Sequence, residues 1–269
     1  YMFRTIIFIL FSLHYSVGVT AADFEDSYQA YQQGDYAEAY RGFLELASEN
    51  HMKAQFYLGT MFREGKGVEQ DYAQSLEWYK RAATHNEPKA QHNVALFYHN
   101  GLSVERDVQT AMNWYRQAAE QDYIPSQINL AKLYYAGQDI RKDINQAVFW
   151  WRKAAELGSK GAQHNLGLMY FLGQGVEKNY VTAMNWYRRA AEQGSKEAQN
   201  SVGAMYFEGN GVEVDLIEAY AWFKVSASAG YEQSKLNLAI VESRLAAEEL
   251  QQANERANSY QQKYPPSED

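Results

Sequence analysis

The sequence predicts an all-α protein built from repeated pairs of helices, and three observations carry that prediction. Nearly the same eleven residues occur twice, as AMNWYRQAAEQ from Ala111 and AMNWYRRAAEQ from Ala183, 72 positions apart. Only four prolines in 269 residues interrupt the chain, which favours long helices. Apolar residues recur at spacings of three and four, as in Leu166, Met169, Tyr170 and Gly173, the period of one helix face. A catalytic motif needs one set of groups, whereas a stacking unit is written again in every copy.

Residues 1–22 differ in kind from the rest of the chain. Arg4 precedes an apolar run over residues 6–13, and small residues come after it at Val19, Ala21 and Ala22. This pattern predicts a secretory signal peptide, hence an exported protein, periplasmic or secreted. The alternative is a membrane anchor, but eight residues before His14 are too few to span a bilayer. No later segment is long and apolar enough to do so, so stable membrane insertion is not expected after signal removal. The chain has no cysteine, so no disulfide holds it and no cysteine follows the signal to accept a lipid.

From residue 54 the chain falls into register every 36 residues. Ala54, Ala90, Ser126, Ala162 and Ala198 open five copies, 54–89, 90–125, 126–161, 162–197 and 198–233. A small column follows at Gly59, Ala95, Ala131, Gly167 and Gly203, and a glycine column at Gly65, Gly101, Gly137, Gly173 and Gly209. The first helix of each copy ends there, because glycine suits a left-handed cap. Asp71, Asp107, Asp143, Asn179 and Asp215 then have the chemistry to cap the second helix. Gln74, Gln146 and Glu218 lie three residues on, a capping-box spacing. Trp78, Trp114, Trp150, Trp186 and Trp222 share one column, and Ala83, Ala119, Ala155, Ala191 and Ala227 close the unit. A tryptophan in register invites a stacking role, but burial between helix layers is the plainer use of so large a ring. The duplicated eleven residues are the second helix of copies two and four.

The combination of small, Gly, Val, Asp, Trp-aromatic and Ala-Ala positions, as in AQHNLGLMYFLGQGVEKNYVTAMNWYRRAAEQGSKE, resembles the Sel1-like repeat, a relative of the tetratricopeptide repeat. The resemblance covers residues 54–233 and implies a right-handed superhelical α-solenoid of paired antiparallel helices. Residues 23–53, with GDYAEAYRGF, resemble a shorter tetratricopeptide-type capping unit. Residues 234–245 resemble one more first helix with no glycine loop after it. Ala246, Leu250, Ala253, Ala257, Tyr260 and Tyr264 then form a seam for a long helix stopped by Pro265 and Pro266, and 234–269 is read as a C-terminal cap. The other reading of that helix is a docking element for a partner.

Composition narrows function. The formal charge is −8 with no basic block, which argues against nucleic acid. His92 and His99 are seven residues apart, about 10 Å along a helix, too far to share a metal. No Gly-x-Ser-x-Gly turn or phosphate loop occurs, so no catalytic, cofactor-binding or metal residue is expected. By analogy with tetratricopeptide arrays, one face of each first helix lines a concave groove. Carried onto this sequence, the candidates for partner binding are Arg63, His92, His99, Ile128, Lys132, Tyr135, His164, Leu168, Phe171 and Phe207. An apolar stripe among polar neighbours suits a peptide or a partner helix, while burial between adjacent repeats would explain the same residues. The resemblance implies a non-enzymatic scaffold or adaptor for a protein or peptide, regulating an envelope complex or sensor. The alternatives are a glycan-binding module and an envelope hydrolase of the β-lactamase-like type, whose cysteine pair per repeat is missing here.

Overall fold

The computed structural model describes residues 23–265; residues 1–22, which the sequence pattern predicts to be a signal peptide, and the last four residues lie outside them. Among the described residues there are fourteen α-helices and no strand. The chain divides into two units, residues 1–71 and 72–269.

The first unit holds α1 (Phe24–Gln33), α2 (Tyr36–Ser48) and α3 (Met52–Glu64). Asp23 accepts from the Glu25 N–H and Asp35 from the Glu38 N–H, capping α1 and α2. Its centre is aromatic. Phe43 is fully buried, with its ring stacked on Tyr57 at 5.2 Å and tilted against Phe24 at 5.8 Å.

The second unit holds α4 (Tyr72–Ala83), α5 (Pro88–Asn100), α6 (Val108–Ala119), α7 (Ile124–Ala136), α8 (Ile144–Glu156), α9 (Lys160–Leu172) and α10 (Tyr180–Glu192). It continues through α11 (Lys196–Glu208), α12 (Leu216–Ser228), α13 (Glu232–Glu242) and α14 (Ala247–Lys263). From α4 to α12, each helix packs on the next in sequence. The first helices end as expected, with Gly101, Gly137, Gly173 and Gly209 left-handed at φ of 64–74°. Asp107, Asp143, Asn179 and Asp215 then accept from the N–H three residues on, at 2.8–3.0 Å.

Two features depart from the sequence reading. The tryptophan column is not the deepest one: Trp150 and Trp222 are buried, but Trp114 and Trp186 are half-buried. The residue after each of these tryptophans is at least as deep, with Tyr115, Trp151, Tyr187 and Phe223 all below 5% exposed. Neighbouring positions on a helix point about 100° apart, so only one of the pair can face the first helix of its own repeat. The small column makes room for that ring: a Cβ added at Gly167 would lie 2.7 Å from Tyr187 Cδ1, and one at Gly203 2.8 Å from Phe223. Arg189 instead covers the indole of Trp186, its guanidinium 4.7 Å from the ring.

The second departure is at Glu218. Its backbone N–H bonds Asp215, but its carboxylate does not turn back to complete a capping box. It accepts from the Tyr260 hydroxyl at 3.1 and 3.2 Å and pairs with Arg256 at 2.5 Å, both on α14. That helix packs on α12 and not back along α13. It buries Ala253 and Ala257 and lays Tyr260 and Tyr264 against Trp222, with ring centres 4.7 and 5.6 Å away.

Candidate docking face on the first helices

The candidates of the second unit lie on one helix face: His92 and His99 on α5; Ile128, Lys132 and Tyr135 on α7; His164, Leu168 and Phe171 on α9; Phe207 on α11. Lys132 is exposed, and the others are half-buried. Arg63, in the first unit, is half-buried on α3, where it pairs with Glu64 at 2.5 Å.

The histidines are tied into the stack. His92 Nδ1 lies 2.8 Å from Ser126 Oγ in the next repeat, and its ring packs against Tyr115 and Tyr123 at 5.4 and 5.2 Å. Burial alone pushes its pKa down to about 4. His164 repeats the device one double-unit later, with Nε2 3.3 Å from Ser201 Oγ, and burial lowers its pKa despite the opposing charge of Glu197. His99 Nδ1 sits 3.3 Å from the Tyr115 hydroxyl, its pKa lowered by burial and then by Arg106. Among the described residues no three His, Cys, Asp or Glu side chains gather as metal ligands.

The aromatic candidates are held at their edges with a surface left open. Tyr135 leans on Trp151 at 5.2 Å and carries Lys142 over its ring at 5.1 Å. Phe171 tilts against Tyr180 at 5.2 Å, and the guanidinium of Arg244 lies 4.7 Å from the Phe207 ring. Beside Phe207 is a pocket of about 110 Å³ lined by Ala204, Phe207, Phe223, Ile240 and Val241, with Glu208 and Asn237 at its rim.

Three sets of residues on or under this face escaped the sequence reading, although the same 36-residue register displays them. Gln55, Gln91, Gln127, Gln163 and Gln199 are identical in all five copies and buried. Four of them donate Nε2 to the carbonyl eight residues back, those of Ala47, Ala119, Ala155 and Ala191, at 3.0–3.4 Å. Each adds a second donor to a last-turn carbonyl that already accepts from the N–H three residues on, and so ties the first helix to the end of the helix before it. Asn93, Asn129, Asn165 and Asn237 form a second column, with Ser201 in the fifth copy. The third set extends the stripe: Leu236 and Ile240, 36 residues after Asn200 and Ala204, are 63% and 47% exposed.

The Sel1 repeat family matches residues 53–87, 88–123, 124–159, 161–195 and 196–231. A crystal structure of a Sel1 repeat protein from Oxalobacter formigenes is similar at 31% identity and a TM-score of 0.72, over 88% of this chain and 99% of that one. A protective antigen of uropathogenic Escherichia coli strains, displaying an SLR fold, is similar at 30% identity and a TM-score of 0.57, over 90% of this chain and 62% of that one. No curated protein matches the sequence. With five repeats matched over most of its length, and its fold shared with a solved repeat protein, the chain belongs to the Sel1 repeat family.

Proposed function

We propose that the protein is an exported, non-enzymatic scaffold that holds a partner protein or peptide on the exposed face of its first helices, in the service of an envelope complex or sensor. The observation that carries this is the half-open apolar stripe of Ile128, Tyr135, Leu168, Phe171 and Phe207. Asn129 and Asn165, half-buried on the same helices, carry amides that both donate and accept, which suits a peptide backbone. A stripe of this kind is what amphipathic helices and extended peptides dock on. Export rests on the sequence of residues 1–22, and among the described residues no helix is long and apolar enough to cross a membrane.

A hydrolase reading gains little from the closest hydroxyl–imidazole pair on this face. Ser126 is fully buried, so a substrate carbonyl has no path to its hydroxyl, and burial keeps His92 neutral as a packing group.

The test is affinity capture from envelope extract with the protein beside two variants. Tyr135→Ala/Phe171→Ala/Phe207→Ala removes the three aromatic rings of the stripe. Lys132→Glu changes an exposed side chain that folding does not need. Loss of one specific partner by both variants, with helical content kept, supports the scaffold. Capture that both leave intact overturns this face as the site. Co-sedimentation with isolated cell-wall polymer, protein removed, would replace the protein partner with a glycan.

A further inference from the structure

The array ends on an uncovered first helix. Ser234, Leu238 and Val241 on α13 fall 36 residues after Ala198, Val202 and Met205, so α13 is the first helix of a sixth unit that has no second helix. In the earlier repeats a side chain of the first helix is tied to the first helix of the following repeat: His92 to Ser126, His164 to Ser201, and Asn200 to Ser234 and Asn237. At α13 this succession stops, because the chain turns away and α14 packs on α12. Leu236 and Ile240 are left open to solvent, beside the pocket lined by Phe207 and Phe223.

The charges on α13 select an occupant. Glu232, Leu236, Ile240 and Arg244 follow one another at intervals of four, so they form a single ridge along the helix and its C-terminal turn. The ridge reads acid, apolar, apolar, base, which is complementary to itself when reversed. Set against a second α13 running antiparallel about Leu238, each Leu236 meets the other copy's Ile240 and each Glu232 meets the other copy's Arg244. Lys235 comes near the other copy's Glu242 in the same arrangement. A parallel arrangement would oppose Glu232 to Glu232 and Arg244 to Arg244, a repulsive pairing. Glu232 now bonds Lys235 at 2.6 Å with both side chains more than half exposed. Such a surface pair contributes little and can exchange for a partner across an interface.

We propose that the protein forms a two-fold homodimer through α13, its ridge packed antiparallel on the ridge of a second copy. The two Leu236–Ile240 contacts form the apolar centre, at the mouths of the two pockets beside Phe207. The Glu232–Arg244 pairs flank it and set the direction. A two-fold contact of one ridge on itself closes after two chains. It is small, below the ~1,200 Å² of a standard specific interface, so the dimer dissociates on dilution. The dimer does not depend on a partner docking along the apolar stripe.

Sedimentation velocity of the purified protein over a wide concentration range tests it. The wild type is expected to shift from monomer to dimer and no further. Leu236→Asp is expected to weaken dimerisation at least about tenfold, a change of ~1.4 kcal/mol, with melting unchanged because Leu236 is 63% exposed. Glu232→Arg and Arg244→Glu are each expected to weaken the dimer by placing like charges opposite, and the double variant to restore it. A wild type that stays monomeric throughout, a dimer indifferent to Leu236→Asp, or a double variant no better than the singles would overturn the proposal. Species that keep growing beyond the dimer would do so as well, because they require a head-to-tail contact.

Discussion

Gln163 Oε1 accepts from Gln193 Nε2 at 2.7 Å, and 72 residues earlier Gln91 Oε1 accepts from Gln121 Nε2 at 2.8 Å. The donors stand 30 residues after their acceptors, at the ends of the two nearly identical helices that first reveal the repeat. The alternate copies lack this donor. Leu157 and Ala229 occupy its place, and the buried Oε1 atoms of Gln127 and Gln199 have no partner.

That alternation makes a stabilising substitution predictable. Leu157 has a backbone of φ −79° and ψ 5°, close to the −89° and 11° of Gln193, and it is 44% exposed. Leu157→Gln should supply the missing donor to Gln127 and raise stability by about 1 kcal/mol. Gln193→Ala should remove a comparable amount by orphaning Gln163. Urea unfolding of both variants checks the pair, and a Leu157→Gln midpoint below the wild type refutes the account.

Stability should fall on mild acidification through His92. Its folded pKa of about 4 lies below the 6.5 of an ordinary histidine, so between those values the unfolded chain binds more protons than the folded one. The contribution is complete above pH ~6.5, shrinks as pH falls through that window, and is gone below about 4; its full size is on the order of 3 kcal/mol. His92→Gln, compared with wild type by thermal melting at several pH values, should flatten the loss. Identical pH dependence in the two proteins would assign the loss to other groups.

Gly167→Ala should destabilise the protein although alanine is the better helix former. The helix propensity gained is about 1 kcal/mol. The new methyl would sit 2.7 Å from the Tyr187 ring and 3.2 Å from the Ala183 carbonyl oxygen. Overpacking a full core costs about 1–3 kcal/mol, so a net loss is expected. Ala131→Gly, in the same column, lacks that clash to relieve and should lose stability through propensity. Calorimetry of the two variants decides, and a higher melting temperature for Gly167→Ala would contradict the ring-in-notch packing.

Tyr260 anchors α14 twice, through its ring on Trp222 and its hydroxyl on Glu218. Tyr260→Ala should therefore cost about 3 kcal/mol or more, and Tyr260→Phe about 1 kcal/mol. Hydrogen exchange should show the Ala variant losing protection first in α14, with the helices from α5 to α9 unchanged. Uniform loss across the unit would mean that α14 is not a separately released layer.

Much of the molecule was legible from recurrence. Residues that must cap a helix, admit a left-handed turn or keep a contact small are restricted to a few types, so they return every 36 positions as Asp107, Gly137 and Ala155 do in their columns. Recurrence is silent about rotation. Trp186 and Tyr187 are equally regular, yet one is half-buried and the other 3% exposed, because the helix turns only one of them onto the notch at Gly167. It is also silent about partners across repeats. The pairing of His92 with Ser126 in the next repeat depends on how closely two first helices approach, which the register along the chain does not give.

The sequence by itself determined the helix pairs, their loops and their caps, since each follows from local backbone chemistry repeated in register. It also marked the face on which the apolar stripe lies. Only the tertiary structure decided that Glu218 serves α14, that α14 crosses to Trp222, and that Leu236 and Ile240 remain uncovered. Those relations involve α13 and α14, which lie beyond the last full copy. Their energy comes from burial and charge pairing between residues more than thirty positions apart, and no spacing along the chain records it.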